Sequence, residues 1–150
     1  MPVIELDMLI ALVNISDELH RVADLLFKMI VEGKLRGVRI ATSALLEYEL
    51  VLRSRGYQER EVRKDIEAFS RIRNLGEQPL TAETVILASR MREKYGLSYF
   101  DSLHCASAVL YDGKLLSVDE AYDSVPEVAR VDPRSLVEGG SVKTAPNEGK

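Results

Sequence analysis

Cysteine is almost missing from this chain. Cys105 is the only one in 150 residues, which excludes an internal disulfide and fits a reducing compartment, so a cytoplasmic location is expected. The two histidines, His20 and His104, together with that cysteine cannot make an ordinary zinc site by themselves. Long apolar runs are absent as well. None reaches the roughly 18 to 20 residues that a membrane helix needs, so no membrane partner is expected. The opening Met1-Pro2-Val3-Ile4-Glu5 has no basic segment ahead of an apolar one, which is the pattern of a signal peptide. No internal repeat and no second domain break the sequence. Basic residues are slightly outnumbered, 20 Lys and Arg against 24 Asp and Glu, for a net charge of −4. That balance argues against a nucleic-acid partner only if the acids are evenly spread. Four carboxylates gathered in one metal site would account for the whole excess.

What is present is enough apolar material, 46% of residues with 29% charged, for one soluble domain with a real core. Strand-like and helix-like runs alternate. A first strand runs from Pro2 to Leu6, with an extension to Leu9 conceivable, and Ser16-Asp17 signals the start of a helix ending near Gly33. Val38 to Thr42 reads as a second strand, and Thr42-Ser43 as the cap of a helix to Arg53. Helices follow from about Gln58 to Ile72, from Thr81 to Tyr95 and, capped by Ser98, from Tyr99 to Tyr111, with Gly76 and Pro79 in a loop between the first two. Lys114 to Val118 and Val128 to Val131 read as strands. This order predicts an α/β fold, a three-layer Rossmann-like domain whose central, mainly parallel sheet is flanked by helices. The domain is expected over 1–137. The Gly-, Ser-, Pro- and charge-rich 138–150 is expected to be a disordered tail.

Four acids fall where such a sheet builds its sites, beyond the carboxyl ends of the strands. Asp7 ends the first strand, Glu49 lies in the helix after the second, Asp101 starts the helix after Ser98, and Asp119 follows Ser117-Val118. Carboxylates brought together repel one another unless a hard divalent cation, which takes oxygen ligands, lies between them. Phosphoryl chemistry is the usual user of such a site. Glu47 is the alternative to Glu49, because residues two apart on a helix point in different directions and Leu45, Leu46, Leu50 and Leu52 do not decide between them. His104 shares a helix face with Asp101 and reads as a semi-buried structural residue or a phosphate contact. The cations from Arg53 to Arg73 would hold a polyanion only if they flank the acids.

The segments ending at Asp7, from Thr42-Ser43 to Glu49-Leu50, Tyr99-Phe100-Asp101-Ser102-Leu103-His104-Cys105-Ala106, and Leu115-Leu116-Ser117-Val118-Asp119-Glu120-Ala121-Tyr122 together carry a resemblance. In that order and spacing the chain resembles the PIN-domain nucleases, and most closely the small stand-alone VapC-type toxins, over about Val3 to Val131. Met8 and Ser117 depart from it, standing where the family often has Thr or Ser and more commonly Thr. The resemblance implies a PIN-like fold and an endoribonuclease using Mg²⁺ or Mn²⁺. Asp7, Glu49, Asp101 and Asp119 would be its catalytic metal ligands, and a metal-activated water would attack an RNA phosphodiester. It further implies an antitoxin protein as partner and a homodimer. Two other readings compete with the toxin: a non-catalytic PIN-fold scaffold, and a nuclease of RNA processing. An aspartyl-nucleophile phosphatase would want a second acid two residues after Asp7, where Leu9 stands.

Overall fold

A computed structural model describes residues 1–137; the expected tail lies outside the described residues. The chain runs β1 (Val3–Ile4), α1 (Leu6–Val13), α2 (His20–Val31), β2 (Arg39–Ala41), α3 (Thr42–Ser54), α4 (Glu59–Ser70), β3 (Gly76–Gln78), α5 (Ala82–Tyr95), α6 (Tyr99–Val109), β4 (Lys114–Leu116), a 3₁₀ helix (Glu120–Ser124) and β5 (Ala129–Val131). The five strands form one sheet of order β3-β2-β1-β4-β5. Every pairing is parallel, with Ile4 opposite Ile40 on one side and Leu116 on the other. The α/β expectation therefore holds, with all four ladders parallel.

Two local readings are corrected. The chain turns into α1 directly after Glu5, so Asp7 sits in the first helical turn and not at the end of a longer strand. Met8, Leu9 and Ala11 recur at helical spacing as the buried face of α1, a period masked in the sequence by a run apolar on every side. The stretch at Gly76 is also a strand, not a loop. Gly76–Gln78 pairs with Arg39–Ala41 at the sheet edge, where a short strand with an exposed glycine needs no apolar pattern of its own.

Both faces of the sheet are covered, so the central strands carry no polar alternation. Val3, Ile4, Ile40, Leu115 and Leu116 are almost fully buried. Helix α6 is buried continuously from Ser102 to Ala108, as expected of a helix enclosed on more than one side. It packs on α5, α3, β1 and β4. Gly96 ends α5 in the left-handed conformation, φ +68°, which a residue with a Cβ adopts only at a cost. Among the described residues no helix is long and apolar enough to cross a membrane.

The connections set the functional edge. From β1 the chain winds outward through β2 to β3, then returns over the sheet to β4 on the other side of β1. The two halves part between β1 and β4, and a crevice opens beyond the carboxyl ends of strands at such a switch point. Leu116, fully buried in β4, anchors that junction. Leu116→Ala should destabilise the protein by about 2–5 kcal/mol, measured as a lowered urea midpoint at unchanged m-value, whereas Lys114→Ala on the exposed start of the same strand should stay within about 0.5 kcal/mol of the parent.

Candidate metal centre

At the switch point the β1–β4 register continues one step past the strands and sets Glu5 beside Ser117. The Ser117 hydroxyl lies 2.6 Å from Glu5 Oε2 and 3.2 Å from Asp7 Oδ2. It has one proton to share between two acids. Ser117 Oγ in turn accepts the backbone N–H of Asp119 at 3.0 Å. The Val118 N–H donates to Asp7 Oδ2 at 2.8 Å. One fully buried serine thus ties together three acids from α1, its N-cap and the end of β4. Position 8, where the family resemblance would place a hydroxyl, points the other way: Met8 is fully buried in the core. The hydroxyl that serves these acids comes from Ser117.

Helices α3 and α6 supply the facing wall. The cavity, about 330 Å³, is lined by Glu5, Asp7, Asp17, Glu47, Asp101 and Asp119 among others. Of the four acids expected at the site, Asp7, Asp101 and Asp119 line it. Glu49 does not; the alternative, Glu47, does. The reason is the phase of α3, whose inward face is Ser43, Ala44, Tyr48 and Leu52. Glu47 lies three and four residues beyond Ala44 and Ser43 and so shares their side, while Leu46 and Leu50, which obscured the phase, are exposed. Ser43 is also not the helix cap. The N-cap is Ala41, and Ser43 Oγ pairs with His104 Nδ1 at 2.8 Å.

His104 Nε2 reaches Glu47 Oε1 at 2.7 Å, so the histidine stands behind the wall of the site. Glu5, Glu47 and His104 offer ligand atoms all within 4.8 Å of one another. Across the cavity the Tyr122 hydroxyl donates to Asp101 Oδ1 at 2.9 Å. Ser98 does cap α6, accepting the Asp101 N–H. Asp119 caps the 3₁₀ helix through Ala121 N–H and also lines the cavity. Sequence reasoning passed over Glu5. The signal was available, since an acid within Val3-Ile4-Glu5-Leu6 is costly to bury without partners. The cations from Arg53 to Arg73 do not line this cavity. On α4, Arg60, Arg63 and Lys64 alternate with Glu59, Glu61, Asp65 and Glu67, and Arg53 pairs with Glu59.

Electrostatics sets the state of this pocket. Burial pushes the Glu5 carboxyl from its ordinary 4.5 up to about 8, with the Asp7 charge adding to the rise and the Ser117 hydrogen bond opposing it. Burial also raises Asp7, against the Val118 N–H and Ser117 hydrogen bonds. Two carboxylates sharing one hydroxyl repel each other, and protonation of one of them or a bound cation relieves that repulsion. Burial together with the Glu5 and Asp101 charges raises the Tyr122 hydroxyl too, which keeps it a donor. Asp7 Oδ1 is buried and has no hydrogen-bond partner among the described residues. An orphaned carboxylate oxygen, a buried acid pair and three further carboxylates make a donor set that fits a hard divalent cation.

A family model, the PIN domain, matches residues 7–128. This chain belongs to the PIN domain family. Solved structures agree with the fold of that PIN domain. A chain of VapBC2 from Rickettsia felis, crystallised bound to a DNA fragment from their promoter, superposes with a TM-score of 0.64 at 13% identity, covering 86% of this chain and 96% of that one. A chain of a toxin–antitoxin complex from Klebsiella pneumoniae gives 0.62 at 17% identity, covering 89% and 98%. No curated protein matches the sequence.

The sign of the Glu5 shift predicts a pH dependence of this PIN domain. Its carboxyl holds a proton in the folded state that the unfolded chain releases above about 4.5. Its stabilising contribution is therefore full below that value and is lost as pH rises toward about 8. In EDTA the protein should melt at a lower temperature at pH 8 than at pH 5, and Glu5→Gln should flatten that slope. An equal slope in the variant, read by differential scanning calorimetry, would show that Glu5 is not its source.

Proposed function

We propose that this chain is a divalent-metal-dependent endoribonuclease of the VapC toxin type. The observation that carries the reading is the convergence of Glu5, Asp7, Glu47, Asp101 and Asp119 on one cavity at the switch point of the sheet, with a carboxylate oxygen left unpartnered. Glu5, Asp7, Glu47 and Asp101 would hold Mg²⁺ or Mn²⁺ there, with Asp119 at the rim. When bound, the ion supplies Lewis-acid stabilisation of charge developing on a phosphodiester and lowers the pKa of a coordinated water. The chain's own residues do the rest. The buried acids fix the donor set, and Ser117 keeps Glu5 and Asp7 in register with each other. One of these acids, or a water relay, would act as general base, and the exposure of Asp119 supports giving it that role. No covalent attachment of the substrate to the protein is required.

An antitoxin protein is the proposed partner, from the likeness to chains of toxin–antitoxin complexes, and a homodimer is the proposed assembly. The scaffold reading loses its argument from Met8, because that side chain is fully buried in the core and does not face the acids. RNA as substrate follows the family resemblance.

The test is cleavage of a structured-RNA pool with Mn²⁺ or Mg²⁺. Cutting should stop in EDTA. Asp101→Asn and Glu47→Gln should each lower the rate by at least the 10–100-fold that loss of a ligand-supporting group costs, while Glu49→Gln should leave it within about twofold, since that side chain is away from the cavity. Cutting that persists in EDTA, or that is lost with Glu49 and kept without Glu47, would overturn this assignment.

A further inference from the structure

Carboxylates around a cavity do not by themselves present their oxygens in fixed directions. A glutamate on a helix has three rotatable side-chain bonds, and fixing them costs conformational entropy. In this chain two of the acids are held from behind by groups that do not themselves line the cavity. On α3, Glu47 receives His104 Nε2 on Oε1 at 2.7 Å. That imidazole cannot turn away. It is fully buried, its other nitrogen is 2.8 Å from Ser43 Oγ, and its ring stacks on Phe100 at 6.2 Å between centroids and 29° between planes. The carboxylate of Glu47 can only accept, so it calls for the proton on Nε2, and Ser43, itself fully buried, can serve Nδ1 with its hydroxyl. On α6, Asp101 receives the Tyr122 hydroxyl on Oδ1 at 2.9 Å, and Tyr122 is 1% exposed. Each donor takes one oxygen. Glu47 Oε2 and Asp101 Oδ2 carry no protein hydrogen bond among the described residues.

We propose that His104, held by Ser43, and Tyr122 are positioning residues that aim the free oxygens of Glu47 and Asp101 into the cavity from its two helical walls. The inference rests on the metal-nuclease reading above and adds to it which residues set the ligand geometry. Groups that hydrogen-bond metal ligands commonly matter to affinity by 10–100-fold when removed. Tyr122 stands in the 3₁₀ helix immediately after Asp119, so one short segment both presents an acid and steadies another. His104 lies one turn after Asp101 on α6, so the same helix presents one acid and clamps the acid opposite.

The experiment measures Mn²⁺ binding to the full chain by calorimetry without RNA, together with kcat and KM on a cleaved RNA. Tyr122→Phe removes one oxygen from a buried ring and should weaken Mn²⁺ binding and lower kcat by 10–100-fold, with KM within about twofold and an unchanged circular-dichroism spectrum. His104→Phe should behave in the same way. His104→Gln, whose amide can donate from a place near Nε2, should recover most of the binding. Tyr122→Phe and His104→Phe binding Mn²⁺ as tightly as the parent would overturn the inference and leave the nuclease reading standing. Equal losses in His104→Gln and His104→Phe would overturn the donor role of His104. A parent chain that does not bind Mn²⁺ would remove both the inference and the reading beneath it.

Discussion

The pairing of β1 with β4 is the constraint on which the rest depends. Among the described residues these two neighbours carry connections that leave in opposite directions along the sheet, so a crevice opens beyond their carboxyl ends. Their register, Ile4 against Leu116, determines what stands at the mouth of that space. One residue further on, it is Glu5 against Ser117. Had the register slipped by one residue, the buried residues of each strand would have exchanged faces, and the acid would have met Leu116. The hydroxyl bridge is thus a consequence of the core. Val3, Ile4, Leu115 and Leu116 have to be buried together, and the polar pair follows from where the strands stop.

That placement costs stability. Glu5 is 6% exposed and Asp7 has a buried oxygen without a partner. Buried polar groups without partners are rare and call for a reason. Here the surroundings lessen the cost without removing it. Ser117 offers one proton to two acids, Val118 donates a backbone N–H, and the first turn of α1 places its N–H groups near Asp7, where the helix dipole favours negative charge. A purely structural role would be better served by an apolar residue at position 5, since replacing a buried polar pair by well-packed hydrophobic residues of similar volume is often neutral or stabilising. What survives that comparison is a pocket whose deficit a divalent cation would meet.

The strongly patterned parts of this fold were legible in the sequence. Ser98 as a cap, Gly96 as a stop and the apolar runs at Val3 and Lys114 located α6, α5 and the two central strands. Local pattern failed where tertiary contacts decide. Helix α1 follows the strand without a turn, and its run from Met8 to Val13 is apolar on all sides, so no period marked it. Strand β3 exists because β2 has an open edge, which nothing within Gly76-Glu77-Gln78 announces. Asp7, Asp101 and Asp119, which line the cavity, could be picked out by position, since each follows a strand or opens a helix. Glu5 was hidden by standing one residue inside the strand expected from the sequence, and Glu47 stood as the alternative to Glu49, because the leucines of α3 did not settle its phase.

The phase of α3 has a physical lesson. Leucine is a weak witness to burial on a surface helix, because a large share of a folded protein's accessible surface is apolar in any case. Small and polar residues are better witnesses when they are placed against another helix. Ser43 and Ala44 are fully buried because α6 passes close enough to α3 to exclude anything larger, and Tyr48 is fully buried because its hydroxyl finds Asp65 at 2.6 Å. The spacing 44, 48, 52 is one helical stripe, with 43 and 47 beside it. Reading the phase of α3 from that stripe selects Glu47 without reference to any partner. The same stripe explains why a histidine is tolerated in the middle of α6. A ring buried between Ser43 and Glu47 has a hydrogen-bond partner for each nitrogen, which an apolar neighbour on α3 could not have supplied.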